Sequence, residues 1–117
     1  MSDDNLVEIR FTKPFQRRLK SLAKRYRQIK KDVQPILHQL EVGNFIGDRI
    51  IGIGDTVFKV RAANSDIPIG KSGGYRLIYQ ILSPTCVWLL LIYAKSDQVD
   101  VTPDEVRDAI NQAFLEG

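Results

Sequence analysis

Basic residues gather along one stretch of this chain with almost no acids to balance them. From Thr56 to Lys95 the cations are Lys59, Arg61, Lys71, Arg76 and Lys95, and the one acid is Asp66. Val57 to Ala62 alternates, which puts Lys59 and Arg61 on one face of a strand. Arg76 opens the next strand, directly after the turn Gly70-Lys71-Ser72-Gly73-Gly74. Tyr93 and Lys95 share a face at the end of the last strand. Cations fixed on a sheet without anions point to a ligand that supplies the negative charge, and phosphate is the obvious one. Such a cluster suits RNA cleavage by attack of its own 2′-OH. That reaction builds extra negative charge on a pentavalent phosphate, which preorganised arginine and lysine stabilise. Tyr93 is placed to stack on a base or relay a proton. The chemistry requires no metal. The competing reading is a set of snorkelling side chains on an exposed sheet.

Other chemistries find less footing. Gly70-Lys71-Ser72 invites a nucleotide-binding P-loop, but Ser65 stands where that motif needs its first glycine, and a strand follows instead of a helix. His38 is the only histidine and Cys86 the only cysteine, and neither has a partner at metal-ligand spacing. A serine or cysteine nucleophile paired with histidine is equally unsupported. A lone cysteine also excludes an internal disulfide.

The elements that must position the basic residues follow from periodicity. Leu6 to Phe11 reads as a first strand. Thr12 caps a helix with proline in its first turn, and Phe15, Leu19, Leu22, Ala23 and Tyr26 form its apolar stripe. A second helix buries Val33, Ile36, Leu37 and Leu40. Pro35 requires either a start near Asp32 as N-cap or a kink in a longer helix. Gly43 stops it. Ile46 to Gly54 is a loop or irregular strand. Thr56 to Ala62 and Tyr75 to Leu82 are strands joined by a loop over Asn64 to Gly74. Cys86 to Lys95, apolar on both faces until its end, is a strand buried between neighbours. Thr102-Pro103-Asp104-Glu105 starts a last helix with cap, proline and acids in place. The expected fold is a single α+β domain over residues 1–117: a small, antiparallel-rich sheet, two N-terminal helices packed on it and a C-terminal helix.

At 117 residues, 44% hydrophobic and 26% charged, the chain can bury a core of its own. Its longest apolar run is too short to span a bilayer. Met1-Ser2-Asp3-Asp4 lacks the features of a signal peptide, so the cytoplasm is the expected compartment. The net charge of +3 hides an asymmetry. Residues 13–31 hold nine bases, Arg17 and Arg18 among them, and no acid; residues 97–116 hold six acids and one base. A basic stripe is either a solvated face or a surface for polyanions or an acidic partner.

The strand Val57-Phe58-Lys59-Val60-Arg61, the segment from Gly70 to Tyr79 and Ile92-Tyr93-Ala94-Lys95-Ser96-Asp97 together resemble the RelE/ParE superfamily of bacterial type II toxins, and most of all its RelE/HigB-like branch. The resemblance covers nearly the whole chain. It implies endonucleolytic cleavage of mRNA in the ribosomal A site, a cognate antitoxin that wraps the toxin, and contact of the pair with operator DNA through the antitoxin. It implies no cofactor. It assigns phosphate binding and catalysis to Arg76, RNA contacts to Lys59 and Arg61, and a site role to Lys95. Tyr93 and Lys95 join Arg76 as catalytic candidates, with Lys71 on the RNA backbone. Arg17 and Arg18 of the first helix are expected to touch ribosomal RNA. Two departures stand out. Ser96 replaces the family's second arginine, and no tyrosine follows Tyr93. ParE-like members poison DNA gyrase, which is the rival activity within the family; an inactivated, antitoxin-binding module is the rival outside enzymology.

Overall fold

Cap chemistry and strand alternation decide where the elements begin. The structure, a computed structural model, describes residues 6–53, 56–67 and 73–116. Lys71 lies outside these residues. The elements are β1 (Glu8–Phe11), α1 (Lys13–Ala23), α2 (Ile29–Glu41), β2 (Asp48–Arg49), β3 (Val57–Ala62), β4 (Tyr75–Ser83), β5 (Cys86–Ala94) and α3 (Pro103–Leu115). They form an α+β domain around one five-stranded mixed sheet of order β1-β5-β4-β3-β2. β3, β4 and β5 pair antiparallel in sequence order as a meander, in keeping with the expected antiparallel-rich sheet, while β1 joins the far edge parallel to β5.

Thr12 caps α1, its side chain accepting from the Phe15 N–H, and its hydroxyl donates to the Leu89 carbonyl at 2.7 Å. One side chain therefore both starts the helix and ties it to β5. At α3 the capping box is complete: Thr102 Oγ1 accepts from the Glu105 N–H at 3.1 Å and Glu105 Oε1 accepts from the Thr102 N–H at 2.8 Å.

One element departs from the sequence expectation, and two settle alternatives it left open. β1 begins at Glu8, because Leu6 and Val7 precede the pairing with β5, although Val7 still bonds the Glu41 carbonyl. α2 begins at Ile29 and carries Pro35 in its interior, so the longer helix is the realised option. Asp32 does not cap it; its carboxylate accepts from the Ser65 N–H at 2.9 Å and hydroxyl at 3.1 Å. β2 adds a two-residue strand in the glycine-punctuated stretch, paired with Lys59 and Phe58.

The sheet has a core on each face. Phe15, Leu22, Ile29, Val33 and Leu40 of α1 and α2 cover one, meeting Val60, Tyr75, Leu77, Tyr79, Leu89 and Ile92. Val106, Ala109, Ile110 and Ala113 of α3 cover the other, meeting Val57, Ile78, Trp88, Leu90, Leu91 and Tyr93. A bulge in β5 reconciles the two. Ile78 pairs with Leu91 and the next residue, Tyr79, with Leu89, which leaves Leu90 as the extra residue. Leu90 and Leu91 both enter the α3-side core, and the alternation beyond them is shifted by one. That shift delivers Tyr93 to the same face as Arg76.

Candidate functional site

The meander lays the expected residues across three strands in one row. Arg61 pairs with Arg76 and Arg76 pairs with Tyr93, so their side chains stand side by side on the α3 face of the sheet. Lys59, two residues before Arg61, heads the next row, opposite Ile78. Lys95 falls one residue beyond β5, in a turn; its N–H extends the ladder by bonding the Gly74 carbonyl at 2.8 Å.

Arg76 is the most confined of the described cations, at 7% exposure. Its Nη1 donates to the carbonyls of Gly73 and Tyr75, both at 3.2 Å. No carboxylate pairs with it among the described residues. A buried charge ordinarily recruits a counter-ion. The backbone leading into Arg76 is tightly set. Gly74 has φ +81°, and a Cβ there would stand 2.5 Å from the Ala62 carbonyl oxygen. Only glycine brings the chain this close to β3 in this conformation.

One anion is invisible in the local sequence. Asp100, between β5 and α3, folds back over the site; its Oδ1 lies 3.1 Å from Lys59 Nζ and accepts from the Tyr93 hydroxyl at 3.3 Å. The scarcity of acids between Thr56 and Lys95 therefore does not leave Lys59 unpaired. Desolvation opposes ionisation of Asp100, but the Val101 N–H, the Lys59 ammonium and the Tyr93 hydroxyl outweigh it and hold the carboxyl below its usual range. Burial first, then the Asp100 charge and hydrogen bond, push Tyr93 up to about 12, against an opposing pull from Arg76. At neutral pH this phenol keeps its proton and acts as a donor. A cleft of about 180 Å³ opens beside the pair, with Ile50, Ile53, Val101 and Val106 along its walls.

The basic first helix meets the acidic C-terminal segment. β1 covers only Cys86 to Leu89 of β5, and α1 packs along β5 and against α3. Arg18 pairs with Glu105 at 3.2 Å, Arg17 bonds Gln112 at 2.9 Å, and Arg25 forms a two-pronged pair with Asp97. Part of the charge asymmetry is thus satisfied within the fold. Lys20, Lys24, Arg27, Lys30 and Lys31 have no carboxylate partner among the described residues, and all five are exposed.

Among the described residues no three histidine, cysteine, aspartate or glutamate side chains gather as metal ligands. No described helix is long and apolar enough to cross a membrane. The chain matches no known family model and no curated protein.

Proposed function

We propose that this protein is the toxin of a type II toxin–antitoxin pair, a RelE-like endoribonuclease that cuts mRNA on the ribosome. The observation that carries the reading is the Arg61–Arg76–Tyr93 row with a confined arginine that lacks a carboxylate partner among the described residues. In the proposed reaction the 2′ oxygen bonds to the adjacent phosphorus and the bond from phosphorus to the 5′ oxygen breaks. A 2′,3′-cyclic phosphate and a 5′-hydroxyl result. Arg76 and Arg61 stabilise the added negative charge on the oxygens of the pentavalent state. Tyr93, a donor at neutral pH, suits protonation of the leaving 5′ oxygen, and taking up the 2′-OH proton requires Lys95 or Lys71 as the uncharged amine. The sequence resemblance supports the ribosome as the place of action and an antitoxin as the partner, in the cytoplasm.

The test is cleavage of a defined mRNA on programmed ribosomes by wild type and Arg76→Ala, with EDTA and ribosome-free reactions in parallel. Cuts at the A-site codon by wild type alone are expected, unaffected by EDTA. Cutting by Arg76→Ala at the wild-type rate overturns the site assignment. No cutting by either protein transfers the case to gyrase inhibition or to an antitoxin-binding module, which a supercoiling assay separates.

A further inference from the structure

We propose that Asp100 is a built-in counter-anion of this site, holding Lys59 and Tyr93 until the phosphates of a single strand displace it. The inference rests on the phosphate-site reading above and names the device that sets what the site accepts. One carboxylate oxygen gathers three donors: Val101 N–H at 2.8 Å, Lys59 Nζ at 3.1 Å and the Tyr93 hydroxyl at 3.3 Å. An oxygen so engaged is a poor base, which removes the simplest catalytic role for Asp100. It stands instead where a phosphate oxygen would draw the same lysine and phenol.

The pairing divides the site's donors into two sets. Arg61 and Arg76 have no carboxylate partner among the described residues, whereas Lys59 and Tyr93 are occupied. A lone phosphate on Arg76 leaves Asp100 in place. A chain with a second phosphate near Lys59 competes with it, because Lys59 and Arg61 are two residues apart on one strand face, about 7 Å. The Lys59–Asp100 pair is half-exposed, at 31% and 56% of the two side chains, so it is screened by water and readily exchanged. Asp100 lies outside regular structure, and its release needs no helix to move. The site would thus favour a polyanionic strand over a single phosphate.

The experiment measures binding of a short single-stranded RNA, methylated at its 2′ oxygens so that it resists cleavage, by fluorescence anisotropy across a salt series. The proteins are wild type, Asp100→Asn, Asp104→Asn, Arg76→Ala and the double variant Asp100→Asn with Lys59→Met. The Asp100→Asn change keeps one acceptor oxygen for the Val101 N–H, removes the charge and turns the other oxygen into an NH2 donor. This variant is expected to bind about fivefold tighter than wild type at low salt. Its slope of log affinity against log salt should steepen by about 0.7, one further phosphate neutralised. The double variant should lose the gain. An equal gain in Asp104→Asn, which makes the same change in net charge at a carboxylate paired with Arg107 and not with Lys59, overturns the proposal, as does absence of tightening in Asp100→Asn. If Arg76→Ala weakens binding while Asp100→Asn does nothing, the counter-anion idea falls and the phosphate site stands. If Arg76→Ala binds like wild type, the phosphate site itself falls.

Discussion

Glu116 and Arg10 tie the end of α3 to the edge strand β1. Glu116 Oε1 accepts from Arg10 Nη2 at 2.9 Å, and its Oε2 accepts from the Lys13 N–H at 2.9 Å, at the first residue of α1. Arg10 in turn lies 4.6 Å over the Trp88 ring, and Trp88 meets Phe114 edge to face. The last turn of α3, the start of α1 and the edge strand β1 are thus held by one carboxylate.

That carboxylate predicts an acid-sensitive latch. Desolvation works against ionised Glu116, but the Lys13 N–H and Arg10 prevail and hold its carboxyl below the ordinary range. A depressed carboxyl contributes stability that is present above its unfolded value and lost as pH falls through the folded one. The contribution should fade as pH drops below about 4. Trp88 fluorescence should then report release of the α3 end before global unfolding, and Glu116→Gln should show the released signal already at pH 7. An unchanged spectrum in Glu116→Gln would remove the latch.

The tyrosines predict the opposite limb. Burial raises Tyr93, and it raises Tyr75 and Tyr79 as well. Between the unfolded value near 10 and the raised folded ones, the unfolded chain binds fewer protons, so stability falls as pH rises. The melting temperature should decline above about pH 10. Tyr93→Phe should flatten part of that decline, while an identical slope would show that Tyr93 ionises as freely in the fold as outside it.

Gly74→Ala should damage the site through the backbone. The substitution meets the Ala62 carbonyl oxygen at 2.5 Å in a left-handed conformation, so β3 and the lead-in to β4 must part. A loss of about 1–3 kcal/mol in urea unfolding is expected. Because Arg76 Nη1 is held by the Gly73 carbonyl, RNA cleavage should fall further than the stability change explains at a temperature where the variant is folded. Full activity in folded Gly74→Ala would separate Arg76 from this turn.

Much of the fold was legible because its signals are local. Thr12 and Thr102 announced α1 and α3, since a cap and its first-turn partners lie within one turn of sequence. Alternation in Val57–Ala62 correctly placed Lys59 and Arg61 on a common face. What escaped depends on distant contacts. Asp100 lies 41 residues from Lys59, outside the stretch whose scarcity of acids marks the cations. The bulge at Leu90 leaves no trace in a strand that is apolar on both faces, yet it decides which face Tyr93 occupies. Asp32 looks like a cap, but its Oδ2 serves Ser65 across the fold, and the cap position falls four residues earlier, at Gln28.

The first helix yields a final prediction, which separates its two sets of cations. Arg18 is committed to Glu105, and Arg17 to Gln112, so charge reversal there strikes the α1–α3 contact as well as any outside partner. Arg18→Glu places two carboxylates together and should lower stability by about 1 kcal/mol. Lys20 and Lys24 are exposed and lack carboxylate partners among the described residues. Reversing both should leave the melting temperature nearly unchanged while weakening co-sedimentation with ribosomes, most strongly at low salt. Arg17→Glu with Arg18→Glu should also weaken it, but together with a lower melting temperature. If Lys20→Glu with Lys24→Glu co-sediments like wild type and the Arg17 and Arg18 pair does not, the polyanion surface lies toward α3 and not along the outer face of α1. If neither pair matters, the stripe is a solvated face, and ribosome contact rests on the sheet cations alone.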